Sequence, residues 1–178
     1  MAYAVDANVL INAHRLYYSF GICPGFWESL VYLHGQGQVF SIDRVRDELT
    51  GKGNQLATWA ENNILDGCFE STDTPAIILV YGQLVTWVNG QQQFSAAARA
   101  EFSQKADAWL IAYARVTGAT LVTHEVFNAE IRRKVPIPNV CAAFNVAYVD
   151  TFAMLSALGT SYHWNQPGPP ANQPAAGD

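Results

Sequence analysis

A chain of 178 residues that is 50% hydrophobic can bury the core of one domain, and at 14% charged residues each acid in an apolar stretch needs a physical reason. A net charge of −5 and a pI near 5.2 argue against a protein that holds nucleic acid by bulk charge. Cys23, Cys68 and Cys141 are odd in number and lack C-x-x-C spacing, which reads as buried thiols in a reducing compartment.

No basic stretch followed by an apolar one marks a signal peptide, and the longest apolar run, 76–81, is too short to cross a bilayer. The expectation is a cytoplasmic protein with no membrane partner.

In chain order, the first β-type segment is Tyr3–Val5, which leads into Asp6. A helical pattern over Phe26–His34 follows, and Gln38–Ile42 reads as the second strand. Asp43 is a candidate N-cap for a helix over Arg44–Thr50, on which Val45, Glu48 and Leu49 share one face. Cys68–Ser71 is the third strand. Thr74-Pro75 matches an N-cap followed by proline in the first helical position, and the helix it opens runs to Val88, with Asn89-Gly90 as its stop. Two more helices cover Phe94–Phe102 and Ala106–Val116, the second stopped by Gly118. Thr120–Thr123 and Val146–Val149 are the last strands, and Asp150–Leu158 is the closing helix, with Asp150 as its cap. Strands alternating with helices predict a single α/β domain with a mostly parallel sheet over residues 1–163. Residues 164–178, Pro/Gly/Ala-rich and without periodicity, predict a disordered tail.

Four carboxylates stand out. Asp6 ends the first strand, where open parallel sheets bind ligands, though it also suits an N-cap for the segment from Ala7. Glu48 is an acid on an apolar helical stripe, with an i,i+4 ion pair to Arg44 as the structural alternative. Asp107 lies in the first turn of an apolar helix, where the helix dipole favours an acid; the neighbouring Trp109, Leu110 and Ile111 imply burial that demands a partner for the charge. Glu125 follows the fourth strand, and a surface-loop acid is its ordinary reading. His124 has no second histidine or cysteine at ligand spacing, so zinc is not expected. If strands one and four are neighbours, the four acids converge. Like charges packed together call for a counter-ion, and an all-oxygen donor set suits Mg²⁺ or Mn²⁺. Such a site can cleave phosphodiesters.

In these motifs the sequence resembles PIN-domain proteins over roughly Met1 to Leu158. "VDANVLI" resembles the family's opening strand and acid, with Asn8 at a small polar position. "VRDEL" is similar to its helix-borne glutamate, at Glu48, and "ADAWLIAYA" to its third acid, at Asp107. "LVTHE" resembles its Thr-x-Asp, with Thr123 kept and Glu125 where aspartate is more usual. "CPGFWESL" and "VFSIDRVRDEL" are similar to a prokaryotic branch of stand-alone PIN-like proteins of the VapC toxin type.

The resemblance implies a single PIN-like domain with a parallel five-stranded sheet in the order 3-2-1-4-5, flanked by helices. It implies a Mg²⁺- or Mn²⁺-dependent endoribonuclease acting on RNA, the toxin of a toxin–antitoxin pair, with a cognate antitoxin and a homodimer as partners. Asp6, Glu48, Asp107 and Glu125 would be the catalytic and metal-binding residues, with Asn8 and Thr123 in support. His14 and Arg15 follow the first motif and could reach the scissile region. Arg132, Arg133 and Lys134, the one basic cluster, could contact phosphates but read first as a solvated charge run. The main alternative is a non-catalytic interaction module that binds a protein partner. A receiver-type phosphoacceptor domain would need a lysine after a late strand, and Lys134 reads as poorly placed for it.

Overall fold

A computed structural model of the chain describes residues 2–51, 53–63 and 67–163. The predicted tail, 164–178, lies outside the described residues. Strands β1 (Tyr3–Val5), β2 (Val39–Ile42), β3 (Phe69–Glu70), β4 (Thr120–Val122) and β5 (Tyr148–Val149) form one sheet in the order β3-β2-β1-β4-β5. Every pairing is parallel. The fold class and strand order expected from the sequence both hold.

Parallel neighbours need crossovers, and helices supply them. Between β1 and β2 lie α1 (Ala7–Asn12), a π-helical turn (Ala13–Tyr17) and α2 (Pro24–Gly35). Then come α3 (Asp43–Thr50) and α4 (Gln55–Asn63), followed after β3 by α5 (Pro75–Gly90), α6 (Ala96–Gln104) and α7 (Ala106–Thr117). Helix α8 (Ile137–Phe144) joins β4 to β5, and α9 (Thr151–Ala157) follows. β1 and β4 are buried at every position. That is why they read as continuous apolar runs rather than alternating ones. Helix α7 presents Ala108, Leu110, Ile111, Ala112 and Ala114 to the interior, and its small side chains let it lie close to the structure beneath. Across it, Trp109 stacks on Tyr81 of α5 with ring centroids 3.8 Å apart.

Several boundaries shift. Helix α5 runs through Asn89 and Gly90 instead of stopping before them, with Gln91 as its C-cap. The helix expected from Phe94 starts after Ser95, whose hydroxyl accepts the Ala98 N–H. Asp43 is not the N-cap: Ile42 holds that position and Asp43 is the first residue of α3, its carboxylate accepting from the Arg44 N–H and from both the N–H and hydroxyl of Thr72, which ties α3 to the loop after β3. Gly118 does stop α7, with φ +74 in the left-handed region. The three thiols are free, but only Cys141 is buried; Cys23 and Cys68 are half-exposed. Among the described residues no helix is long and apolar enough to cross a membrane.

Candidate functional site

From β1 the chain winds outward through β2 and β3, then returns to the other side of β1 as β4 and β5. The crevice beyond the carboxyl ends of β1 and β4 is therefore a topological switch point. The register Val5↔Val122 sets Asp6 and Thr123 side by side just past that edge, and the Asp6 N–H donates to the Val122 carbonyl at 3.0 Å.

Both readings of Asp6 describe it. It caps α1, accepting the Asn8 N–H at 3.4 Å, and it is 2% exposed, accepting the Thr123 hydroxyl at 3.1 Å. Asn8 thus contributes its main chain, while its side chain is exposed. The Thr123 oxygen in turn accepts the Glu125 N–H at 3.2 Å, so one hydroxyl links two acids of the expected set.

Glu48 makes no ion pair with Arg44 among the described residues; Arg44 lies over the Trp109 ring, 5.0 Å from its centroid. Instead the Glu48 carboxylate accepts the Ala106 N–H at 3.1 Å. It caps α7 from a distance, where Lys105 at the cap position offers no side-chain bond. Glu125 is not a surface acid: its side chain is only 12% exposed. One oxygen accepts the Ile137 N–H at the start of α8, at 2.8 Å, and the other is ion-paired with the Lys134 ammonium.

Three of the four acids therefore serve a helix N-terminus. Asp107 is the exception. It is 6% exposed, and no described residue donates a hydrogen bond to its carboxylate. It borders a small cavity that Lys134, Lys105 and Glu101 also line.

The electrostatics follow. Burial pushes Asp6 from 3.8 up to about 6, and Glu125 and then Glu48 add repulsion, while the Asn8 N–H and Thr123 hydroxyl pull the other way. Burial pushes Asp107 up to about 7, helped by Asp6, Glu125 and Glu48 and opposed by Lys134. Asp6 and Asp107 thus each feel the charges of Glu125 and Glu48. Yet among the described residues no three acidic, histidine or cysteine side chains form a ready ligand shell. Glu48 and Glu125 are already engaged by main-chain donors.

Lys134 was missed by sequence reasoning. Arg132 and Arg133 are exposed, as a solvated run should be, but Lys134 is half-buried and turns onto Glu125. Nothing in a three-residue basic run shows which member points inward. A receiver-type reading is not rescued by this lysine, because β1 sits between β2 and β4, whereas a 2-1-3-4-5 sheet sets it beside β3. His14 and Arg15 line a second small cavity with Glu48, Leu49 and Asn54. His124 is not simply exposed: its Nε2 lies 2.9 Å from the Thr151 hydroxyl.

A family model described as a domain of unknown function, DUF4411, matches residues 3–162. The chain belongs to the DUF4411 family. No curated protein matches this DUF4411 chain. Among solved structures, it is similar to the crystal structure of VapBC2 from Rickettsia felis bound to a DNA fragment from their promoter. The TM-score is 0.52 at 15% identity, over 84% of this chain and 98% of that one. The likeness is one of fold, and it agrees with the PIN-like architecture that the four acid motifs implied.

Proposed function

We propose that this protein is a divalent-cation-dependent endoribonuclease, with Mg²⁺ or Mn²⁺ held between Asp6 and Asp107. The observation that carries the reading is Asp107: a nearly buried carboxylate with no hydrogen-bond donor, set beside a second buried carboxylate. A charge this nearly buried and without a donor is costly even where its oxygens keep some contact with solvent, and a cation is a partner this donor set suits. The donors are all hard oxygens, with no thiolate or imidazole among them, so the residues fit Mg²⁺ or Mn²⁺. Bound there, such a cation would polarise a phosphodiester oxygen and acidify an attacking water.

The chain's own groups supply the rest. The Thr123 hydroxyl fixes the Asp6 carboxylate, and the Asn8 N–H holds its other oxygen. Glu48 keeps the start of α7, and with it Asp107, in place, and it can orient a water from its free oxygen. Lys134 already neutralises Glu125, so we assign Glu125 a supporting part and the site a single cation. This is where glutamate in place of the more usual aspartate matters.

A toxin of a toxin–antitoxin pair, working in the cytoplasm against RNA, with a cognate antitoxin and a homodimeric state, is the biological setting that fits this reading. The fold likeness to a VapBC2 complex supports it. A non-catalytic interaction module is the second reading. It is favoured by the helix-capping work that already occupies Glu48 and Glu125. Cleavage of a mixed single-stranded RNA pool separates the two: the nuclease reading requires cutting with Mn²⁺, none with EDTA, and none by Asp107→Asn. An inert wild type with Mn²⁺ present would leave the interaction module standing.

A further inference from the structure

Three aromatic rings lie together at the same edge of the sheet as the acids, each brought by a different segment of the chain. Tyr17 ends the π-helical turn after α1, His124 stands between Thr123 and Glu125, and Phe152 lies in the first turn of α9. Their centroids are 6.5 Å apart for Tyr17 and His124, 6.5 Å for Tyr17 and Phe152, and 6.0 Å for His124 and Phe152. The His124 ring is held by the Thr151 hydroxyl, and Tyr17 by a turn whose wide bond runs from the Tyr18 N–H to the Ala13 carbonyl at 2.7 Å. Such π-type turns often sit at functional sites.

The core does not need these rings. Tyr17 is 56% and Phe152 52% exposed. Scattered exposed apolar residues are ordinary, but a cluster of rings from three elements beside a set of buried acids is not. The protein is acidic overall, so a polyanionic strand cannot be held by a broad basic face. Stacking does not depend on such a face, because every base offers a π-surface to an aromatic side chain. Arg15 is exposed on the same turn as Tyr17 and borders the cavity that Glu48 lines, so a cation is at hand on that turn.

We infer that Tyr17, His124 and Phe152 form a stacking platform for an unpaired base of a single-stranded RNA, next to the bond that the acid cluster would cleave. This rests on the nuclease reading for its substrate, but it makes a separate claim about binding. The exposed aliphatic residues Leu16 and Val126 on the same two loops would serve a protein partner equally well. The test must therefore read the base itself.

The experiment measures the affinity of a fluorescent short single-stranded RNA for the full chain carrying Asp107→Asn, which prevents cutting. Tyr17→Ala and Phe152→Ala are each added to that chain, with Tyr17→Phe as the ring-preserving control. Melting curves confirm that every variant folds. Each alanine change should weaken binding between about 5- and 100-fold, while Tyr17→Phe binds as before. A strand of the same length with abasic sugars should bind weakly and equally to all of them. Equal affinity of the base-bearing strand for all variants would overturn the platform and leave the rings to a protein partner. Undiminished binding of the abasic strand would overturn it too. The nuclease reading fails separately: a wild type that binds RNA through these rings but never cuts it keeps the platform and loses the nuclease. A chain that binds no RNA loses both.

Discussion

Replacing Asp107 with asparagine should stabilise the cation-free protein. Raising a carboxyl from 3.8 to about 7 corresponds to about 4 kcal/mol lost at neutral pH and above, at 1.36 kcal/mol for each pH unit. Asparagine removes the charge but leaves a largely buried amide with no hydrogen-bond donor or acceptor in reach among the described residues, which costs up to about 1–3 kcal/mol. The net gain is therefore about 1–3 kcal/mol. In a chain of this size that raises Tm by roughly 3–10 °C. The pH dependence has a definite sign. The folded pKa lies above the unfolded one, so the folded state binds the proton more tightly. Its contribution is fully present below about 3.8 and is lost as pH rises through about 7. The advantage of Asp107→Asn should thus be largest near about pH 8 and shrink towards about pH 5. Thermal melts of both proteins in EDTA across that range measure it. A variant that melts below wild type at the alkaline end would mean the Asp107 carboxylate has a stabilising partner, and the reasoning from its lack of a donor would be wrong.

Glu48→Ala removes the distant cap of α7 and should lower Tm by roughly 2–4 °C, about 1 kcal/mol, whereas Glu48→Gln keeps an oxygen for the Ala106 N–H and should melt as wild type. Equal melting of the two variants would show that the bond contributes nothing. Lys134→Met strands the Glu125 carboxylate and should lower Tm in EDTA; added Mn²⁺ should recover it, with a second equivalent bound. A variant that still binds one ion would show that Lys134 does not hold a cation's place. Asp6→Asn should abolish RNA cleavage without unfolding the chain, and Glu125→Ala should cost less activity, which parallel rates in Mn²⁺ would decide; equal losses would make Glu125 a full ligand.

The central strands were legible because their physics is local. Tyr3–Val5 and Thr120–Val122 are buried on both faces and read as apolar runs bounded by polar residues. The alternation of strands and helices gave a mostly parallel sheet, and the strand order came only as what the resemblance to PIN-domain proteins implied. Helix α4 escaped notice because its buried side is made of Leu56, Ala57 and Ala60, and alanine gives a weak period. Helix α8 escaped for the opposite reason: Ile137 to Cys141 are all buried, so no polar face marks a repeat. The positions of the acids were legible, but their engagements were not. That Glu48 caps α7 and Glu125 caps α8 depends on how α3 and the loop after β4 pack, and no spacing encodes that. The inward turn of Lys134 and the meeting of Tyr17, His124 and Phe152 are tertiary in the same sense. Tyr17, the loop after β4 that carries His124 and Lys134, and Phe152 are far apart in the chain, and only the fold brings them to the shared edge.

The central claim is that Asp6 and Asp107 together make a cation site. It is tested most directly by titrating Mn²⁺ into the full chain in a calorimeter, with wild type and Asp107→Asn side by side. Wild type should bind one equivalent, displaced by Mg²⁺, and Asp107→Asn should show no specific binding. Identical isotherms for the two proteins, or no binding by either, would contradict it.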